Sequence, residues 1–409
     1  MSGRNDAERF DAPFFDTVRD RAGTNSLKYG APPTGAARDV LPMWVADMDF
    51  PSPPAVQDAL ARAARQGVYG YTELDGSYWE LLRAWYRKRM DWATEAEWYV
   101  RVPNVLAGVS AALFASTQEG DGVLLCEPAY YPFARILQRL GREVVVSGLR
   151  EENGRYTLDF ADLDEKAKRC KALLFCSPHN PVGRVWERAE LEELGRVCRT
   201  RGLCVISDEI HADLVFPPRR HVPVTTVSED LAKRSVVCMA PTKTFNLAGL
   251  HIAHLIVPDP VLRRRVLRAC SAMGQGGVNL MSLAAASAAY REGEAWLDGL
   301  LTYLRDNRQL LYDAFPAGGP IRALPTEGTY LAWLDCRALS LDTARLDELF
   351  LNKAGVWLDN GAMFGAGGKG FMRLNFACPR GVLREAAGRI GNASRGIHAS
   401  APKSPETIV

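Results

Sequence analysis

The chain has 409 residues, 47% hydrophobic and 24% charged, as in an ordinary globular protein with a large core. Its 50 basic and 48 acidic residues leave a net charge of +2, so no charge field argues for nucleic acid or an anionic membrane surface. The nine cysteines stand singly with no C-x-x-C pair, no apolar run approaches the ~20 residues of a membrane span, and residues 1–10 are too polar for a secretory signal. These features predict a reduced, cytoplasmic protein without a disulfide framework, a membrane partner or a metal centre.

In chain order, residues 1–9 read as loose, and residues 53–66, opening on Pro53-Pro54, read as a helix. Gly108-Val109-Ser110 precedes a helical run over 111–116, so its backbone N–H groups are expected to hold a phosphate at a helix start. Four brief apolar runs, 123–126, 172–176, 203–206 and 236–239, read as buried parallel strands. Between the second and third, Leu191, Leu194, Val197 and Cys198 recur at helical steps, and Gly202 marks the stop. Strand, helix, strand in this order implies parallel βαβ units. From about 285 the pattern changes to a long helix followed by strand-like segments at 329–334 and 371–376. The reading is an α/β protein: a large domain over 51–284, a smaller α/β domain from 1–50 and 285–393, and a disordered tail over 394–409.

Each strand-like run is followed by residues capable of chemistry. After the first comes Glu127-Pro128-Ala129-Tyr130, and after the second Ser177-Pro178-His179-Asn180-Pro181-Val182-Gly183. After the third comes Ser207-Asp208-Glu209-Ile210-His211, and after the fourth Ala240-Pro241-Thr242-Lys243-Thr244. Open α/β sheets bind ligands beyond the carboxyl ends of their strands, so these four segments are expected to converge on one site.

The order Asn-Pro-x-Gly at 180–183, Ser-Asp-Glu-Ile-His at 207–211 and Lys243 after a strand resembles the fold-type-I pyridoxal-phosphate (PLP) enzymes. More narrowly, Met43-Trp44-Val45-Ala46-Asp47-Met48-Asp49-Phe50, Tyr69-Gly70-Tyr71-Thr72, Lys243-Thr244-Phe245-Asn246 and Phe371-Met372-Arg373-Leu374-Asn375 resemble the MalY/PatB-type cystathionine β-lyases, over about residues 13 to 392. The resemblance implies the PLP-dependent transferase-like fold and assigns roles. Lys243 would join the PLP aldehyde and then shuttle protons, and Asp208 would pair with the pyridine nitrogen. Asn180 and His211 would lie near the phenolic oxygen, with Ile210 beside them, and Tyr130 would stack on the ring. Gly108, Val109 and Ser110 would take the phosphate, with Tyr71 reaching it from a second subunit of a homodimer. Arg373 would bind the substrate α-carboxylate and Ala46 would adjoin the substrate.

Three departures bear on the substrate. Lys28 is followed by Tyr29-Gly30 where the family often has Trp-Asp. Ala240 stands where many relatives of the wider fold carry a phosphate-binding Ser, and Asn279 follows an unusual Gly274-Gln275-Gly276-Gly277 stretch. The implied activity is β-elimination on cystathionine or another cysteine S-conjugate. The same residues serve an aminotransferase, a natural-product enzyme acting on a larger S-conjugate, or a PLP-binding regulatory protein.

Overall fold

A computed structural model of the chain describes residues 10–398 apart from 34 and 38. Its main sheet has seven strands: β1 (Tyr99–Val102), β2 (Gly122–Glu127), β3 (Glu143–Gly148), β4 (Cys170–Cys176), β5 (Cys204–Asp208), β6 (Ser235–Met239) and β7 (Ala253–Ile256). They lie in the order β1-β7-β6-β5-β4-β2-β3, and β7 alone runs against its neighbours. All four expected strands are present.

Their unbroken apolar runs follow from burial on both faces. Along β4, Leu173 and Phe175 point into one core while Ala172, Leu174 and Cys176 point into the other. Strand residues alternate sides, so a sheet covered twice needs apolar residues at every position. On one side, helix Val105–Ser116 comes so close to β7 that a Cβ on Gly108 would meet Leu255 Cδ2 at 2.6 Å. On the other lies helix Arg188–Arg201, which carries the expected apolar stripe and ends at Gly202 with φ of 68°, the left-handed turn that glycine adopts freely.

The second sheet is antiparallel: β8 (Arg322–Ala323), β9 (Leu331–Asp335), β10 (Asp359–Asn360) and β11 (Phe371–Asn375), in the order β8-β9-β11-β10. Helices Glu294–Ala314 and Arg380–His398 belong to the same half of the chain and pack on each other. The N-terminal arm joins this half through a short parallel ladder of Leu41–Pro42 with Val356–Trp357.

Two expected boundaries fall within helices. The boundary at 284 falls inside helix Leu280–Glu292, which packs against helix Pro54–Gln66; we propose that the division follows that helix. The first residues of the tail expected from 394 are helical, because helix Arg380–His398 continues through them. Ser394 is buried and its hydroxyl donates to the Gly391 carbonyl, while Ala393 packs on the core. The expected loose segments 1–9 and 399–409 lie outside the described residues.

Candidate active site

The carboxyl ends of β4, β5 and β6 are in register, with Asp208 between Cys176 and Cys238. Beyond them lies a cavity of about 290 Å³ whose walls include Lys243, Asp208, Asn180, His211, Tyr130 and Ile210. Six of the residues expected from sequence therefore meet at one place.

Lys243 sits on the turn Pro241–Thr244 that follows β6, and its Nζ donates to the Ala46 carbonyl. Withdrawal from water is the main reason its amine is lowered to about 8, reinforced by Arg373 and opposed by Asp47 and Asp208. Asp208 ends β5 and accepts the Ile210 N–H at 3.1 Å. Burial raises its carboxyl to about 7, against that hydrogen bond and the nearby Lys243. A cation brought against it would restore the carboxylate, as expected for a partner of a protonated ring nitrogen. Burial also holds His211 well below the usual imidazole range, so the ring is neutral, and its Nδ1 has no protein partner. Tyr130, half-buried, offers a ring face beside the cavity, with its hydroxyl pushed up to about 12 by burial.

Arg373 stands behind Asn180 instead of lining the cavity. Its Nη1 donates to Asn180 Oδ1 at 3.0 Å and its Nη2 to the Trp44 carbonyl at 3.1 Å, and it forms a buried ion pair with Asp359. With Oδ1 engaged, Asn180 keeps its NH₂ for whatever occupies the cavity.

The segment 43–50 is anchored by two asparagines. Asn246 donates to the Met48 and Phe50 carbonyls at 3.0 and 2.9 Å and accepts the Met48 N–H at 3.0 Å. Asn375 donates to the Val45 and Asp47 carbonyls, both at 2.6 Å. The Tyr330 hydroxyl joins Lys243 on the Ala46 carbonyl. Ala46 thus touches the lysine through its backbone, which explains why motifs 200 residues apart read as one pattern.

The expected helix start shifts by a turn. Gly108, Val109 and Ser110 lie inside the helix, not at its start: Gly108 N–H bonds the Asn104 carbonyl at 3.1 Å, and the Ser110 hydroxyl bonds the Leu106 carbonyl at 3.0 Å. The helix begins at Val105, capped by Asn104, whose side chain takes the Ala107 N–H at 2.9 Å. Asn104, Val105 and Leu106 line the cavity, so the N–H groups of a genuine helix start are available there. An N-cap asparagine before an apolar run was the overlooked signal. Thr242, from the fourth expected segment, and His251, which was not anticipated, also line the cavity.

Tyr71 is fully exposed and away from its own chain's cavity, beside Gly277 and Asn279 in a separate hollow. Tyr29 packs under Arg21, 5.1 Å from guanidinium to ring, and Lys28 is buried in an ion pair with Asp49 at 2.8 Å. Ala240 is buried ahead of the Lys243 turn.

The sequence matches the aminotransferase class I and II family over residues 38–390. The chain belongs to that family. Among curated family relatives, cystathionine beta-lyase PatB of Bacillus subtilis is 38% identical over 92% of this chain and 98% of its own. Protein MalY of Escherichia coli is 32% identical over 94% of this chain and 99% of its own. Among solved structures of the aminotransferase class I and II fold, the PLP-containing cystalysin of Treponema denticola superposes with a TM-score of 0.90 at 35% identity, covering 93% of this chain and 98% of that one. The fold is therefore that of the fold-type-I PLP enzymes, and the sequence resemblance to the PatB and MalY group holds across nearly the whole chain.

Proposed function

We propose that this chain is a PLP-dependent carbon–sulfur β-lyase that cleaves cystathionine or another cysteine S-conjugate to a thiol, pyruvate and ammonia. The observation that carries this reading is the meeting of Lys243, Asp208, Asn180 and a helix start in one cavity, in a chain 38% identical to PatB.

The residues fit PLP. A helix N-terminus suits its phosphate, a buried carboxyl its pyridine nitrogen, and an amine lowered to about 8 its aldehyde. The unpartnered His211 Nδ1 is a further polar atom awaiting a ligand near Asp208. When bound, PLP supplies an electron sink for the pair left at the substrate Cα.

The chain's own groups do the rest. Lys243 would hold the cofactor's aldehyde and serve as the base for the substrate Cα proton; its lowered basicity keeps part of it neutral near pH 8. Asp208, held among buried groups, keeps the ring nitrogen protonated. The Asn180 NH₂ steadies the cofactor's phenolic oxygen and its Oδ1 orients Arg373, which serves the α-carboxylate. Tyr130, on the cavity wall, would offer its ring face to the cofactor. With the pair at Cα stabilised, a β-thiolate leaves.

A homodimer completes the reading. Val68, Tyr69 and Tyr71 are exposed, an apolar stretch that association would cover. We assign the protein to the cytoplasm: all nine cysteines are unpaired thiols, and among the described residues no helix is long and apolar enough to cross a membrane. The same residues would serve a transaminase, a reading favoured by the family match itself. Incubation with L-cystathionine, with and without pyruvate or 2-oxoglutarate, separates the two. Thiol and pyruvate release independent of added oxo acid supports the lyase; turnover only with an oxo acid would replace it by the aminotransferase.

A further inference from the structure

Arg373 on β11 and Asp359 on β10 are directly opposite in the antiparallel ladder, and both side chains are only 3% exposed. Both terminal nitrogens of the arginine are engaged: Nη1 donates to Asn180, and Nη2 to the Trp44 carbonyl and the Asp359 carboxylate. Its Nε is buried without a partner, and its guanidinium lies over the Phe364 ring at 4.8 Å. A guanidinium so enclosed has its charge balanced from within the protein. A substrate carboxylate arriving there would meet a second anion on the same cation, and two like charges on one fork oppose each other.

The geometry points to Asp359 as a specificity-determining residue: it competes with the substrate α-carboxylate for Arg373. It thereby weakens the contribution of that carboxylate to binding and leaves selection to contacts with the rest of the substrate. This rests on the assignment of Arg373 to the α-carboxylate. Asp359 also lines a second hollow, with Trp44, Trp357, Met363 and Asp347, and Asn180 is not among its walls.

The test is calorimetric titration of the PLP-loaded enzyme with L-alanine, which lacks a leaving group, and with L-alaninol, which lacks the carboxylate. Asp359→Asn is expected to bind L-alanine about tenfold more tightly and L-alaninol within about twofold of the parent. Arg373→Lys is expected to weaken L-alanine by about tenfold or more and to spare L-alaninol. If Arg373→Lys leaves L-alanine unchanged, Arg373 is not the carboxylate site and both readings fall. If it weakens L-alanine while Asp359→Asn leaves it unchanged or weaker, only the competition is refuted. Removing Asp359 strips a buried counter-ion, so Asp359→Asn and Asp359→Ser should both melt earlier and recover with L-alanine. A melting deficit that L-alanine does not relieve in either variant would also overturn the proposal.

Discussion

Asn246→Ala tests whether the two distant motifs are mechanically one. Asn246 holds the Met48 and Phe50 carbonyls and the Met48 N–H, and it does so from a left-handed backbone with φ of 57°. Alanine abandons three hydrogen bonds in a partly buried place, at about 1 kcal/mol net for each. It also carries a left-handed conformation that asparagine tolerates better, adding about 1 kcal/mol. The loss is therefore about 3–4 kcal/mol. With about 2.1 cal/mol/K of unfolding entropy per residue, a cooperative chain of 409 residues carries about 0.9 kcal/mol/K, so Tm should fall by about 4 °C. Asn246→Gly relieves the backbone but loses the same bonds, so it should fall by about 3 °C. Because segment 43–50 presents the Ala46 carbonyl to Lys243, both variants should also lose activity at temperatures where they remain folded. Differential scanning calorimetry with a parallel assay at 20 °C reads both effects. Unchanged melting and full activity in Asn246→Ala would refute the coupling of the two segments.

Asp208→Asn removes the acid that would keep the ring nitrogen protonated; kcat should fall by about 100-fold or more, with folding intact by circular dichroism. Retention of even a tenth of the activity would count against that role. His254 is held down to about 3 and His179 to about 4 by burial. Both are lowered in the folded state, so the unfolded chain takes protons first, and stability present above pH 6.5 is lost as pH falls toward 4. His179 alone accounts for about 3 kcal/mol at pH 4. The raised Asp208 works in the opposite sense over the same range, so His254→Gln should flatten the acid slope of urea midpoints; an unaltered slope would contradict the assignment. Tyr71→Ala should weaken PLP retention in sedimentation-verified dimers, whereas a fully active monomer would remove Tyr71 from the site.

Much of this site was legible because its chemistry follows strand ends. Asp208, Asn180 and Lys243 each come within four residues of the end of a short apolar run, and buried parallel strands write themselves as such runs. Helix 188–201 was legible for the same reason, having one apolar stripe and a glycine stop. The helix start was misplaced by one turn because Gly108 looks like a loop glycine. It is in fact a helix residue kept small by Leu255 of β7, a contact invisible until the sheet is assembled. The partnership of Arg373 with Asp359 was equally hidden, since it depends on ladder register across the ten residues between the two strands. The strand expected from 329 begins at Leu331 because Thr329 takes a left-handed turn with φ of 72°.

The most direct test of the account is to load the protein with PLP, reduce it with borohydride and map the modified peptide by mass spectrometry. The account predicts one phosphopyridoxyl group, on Lys243, and none in Lys243→Ala. Modification of another lysine, or none in the native protein, would contradict it.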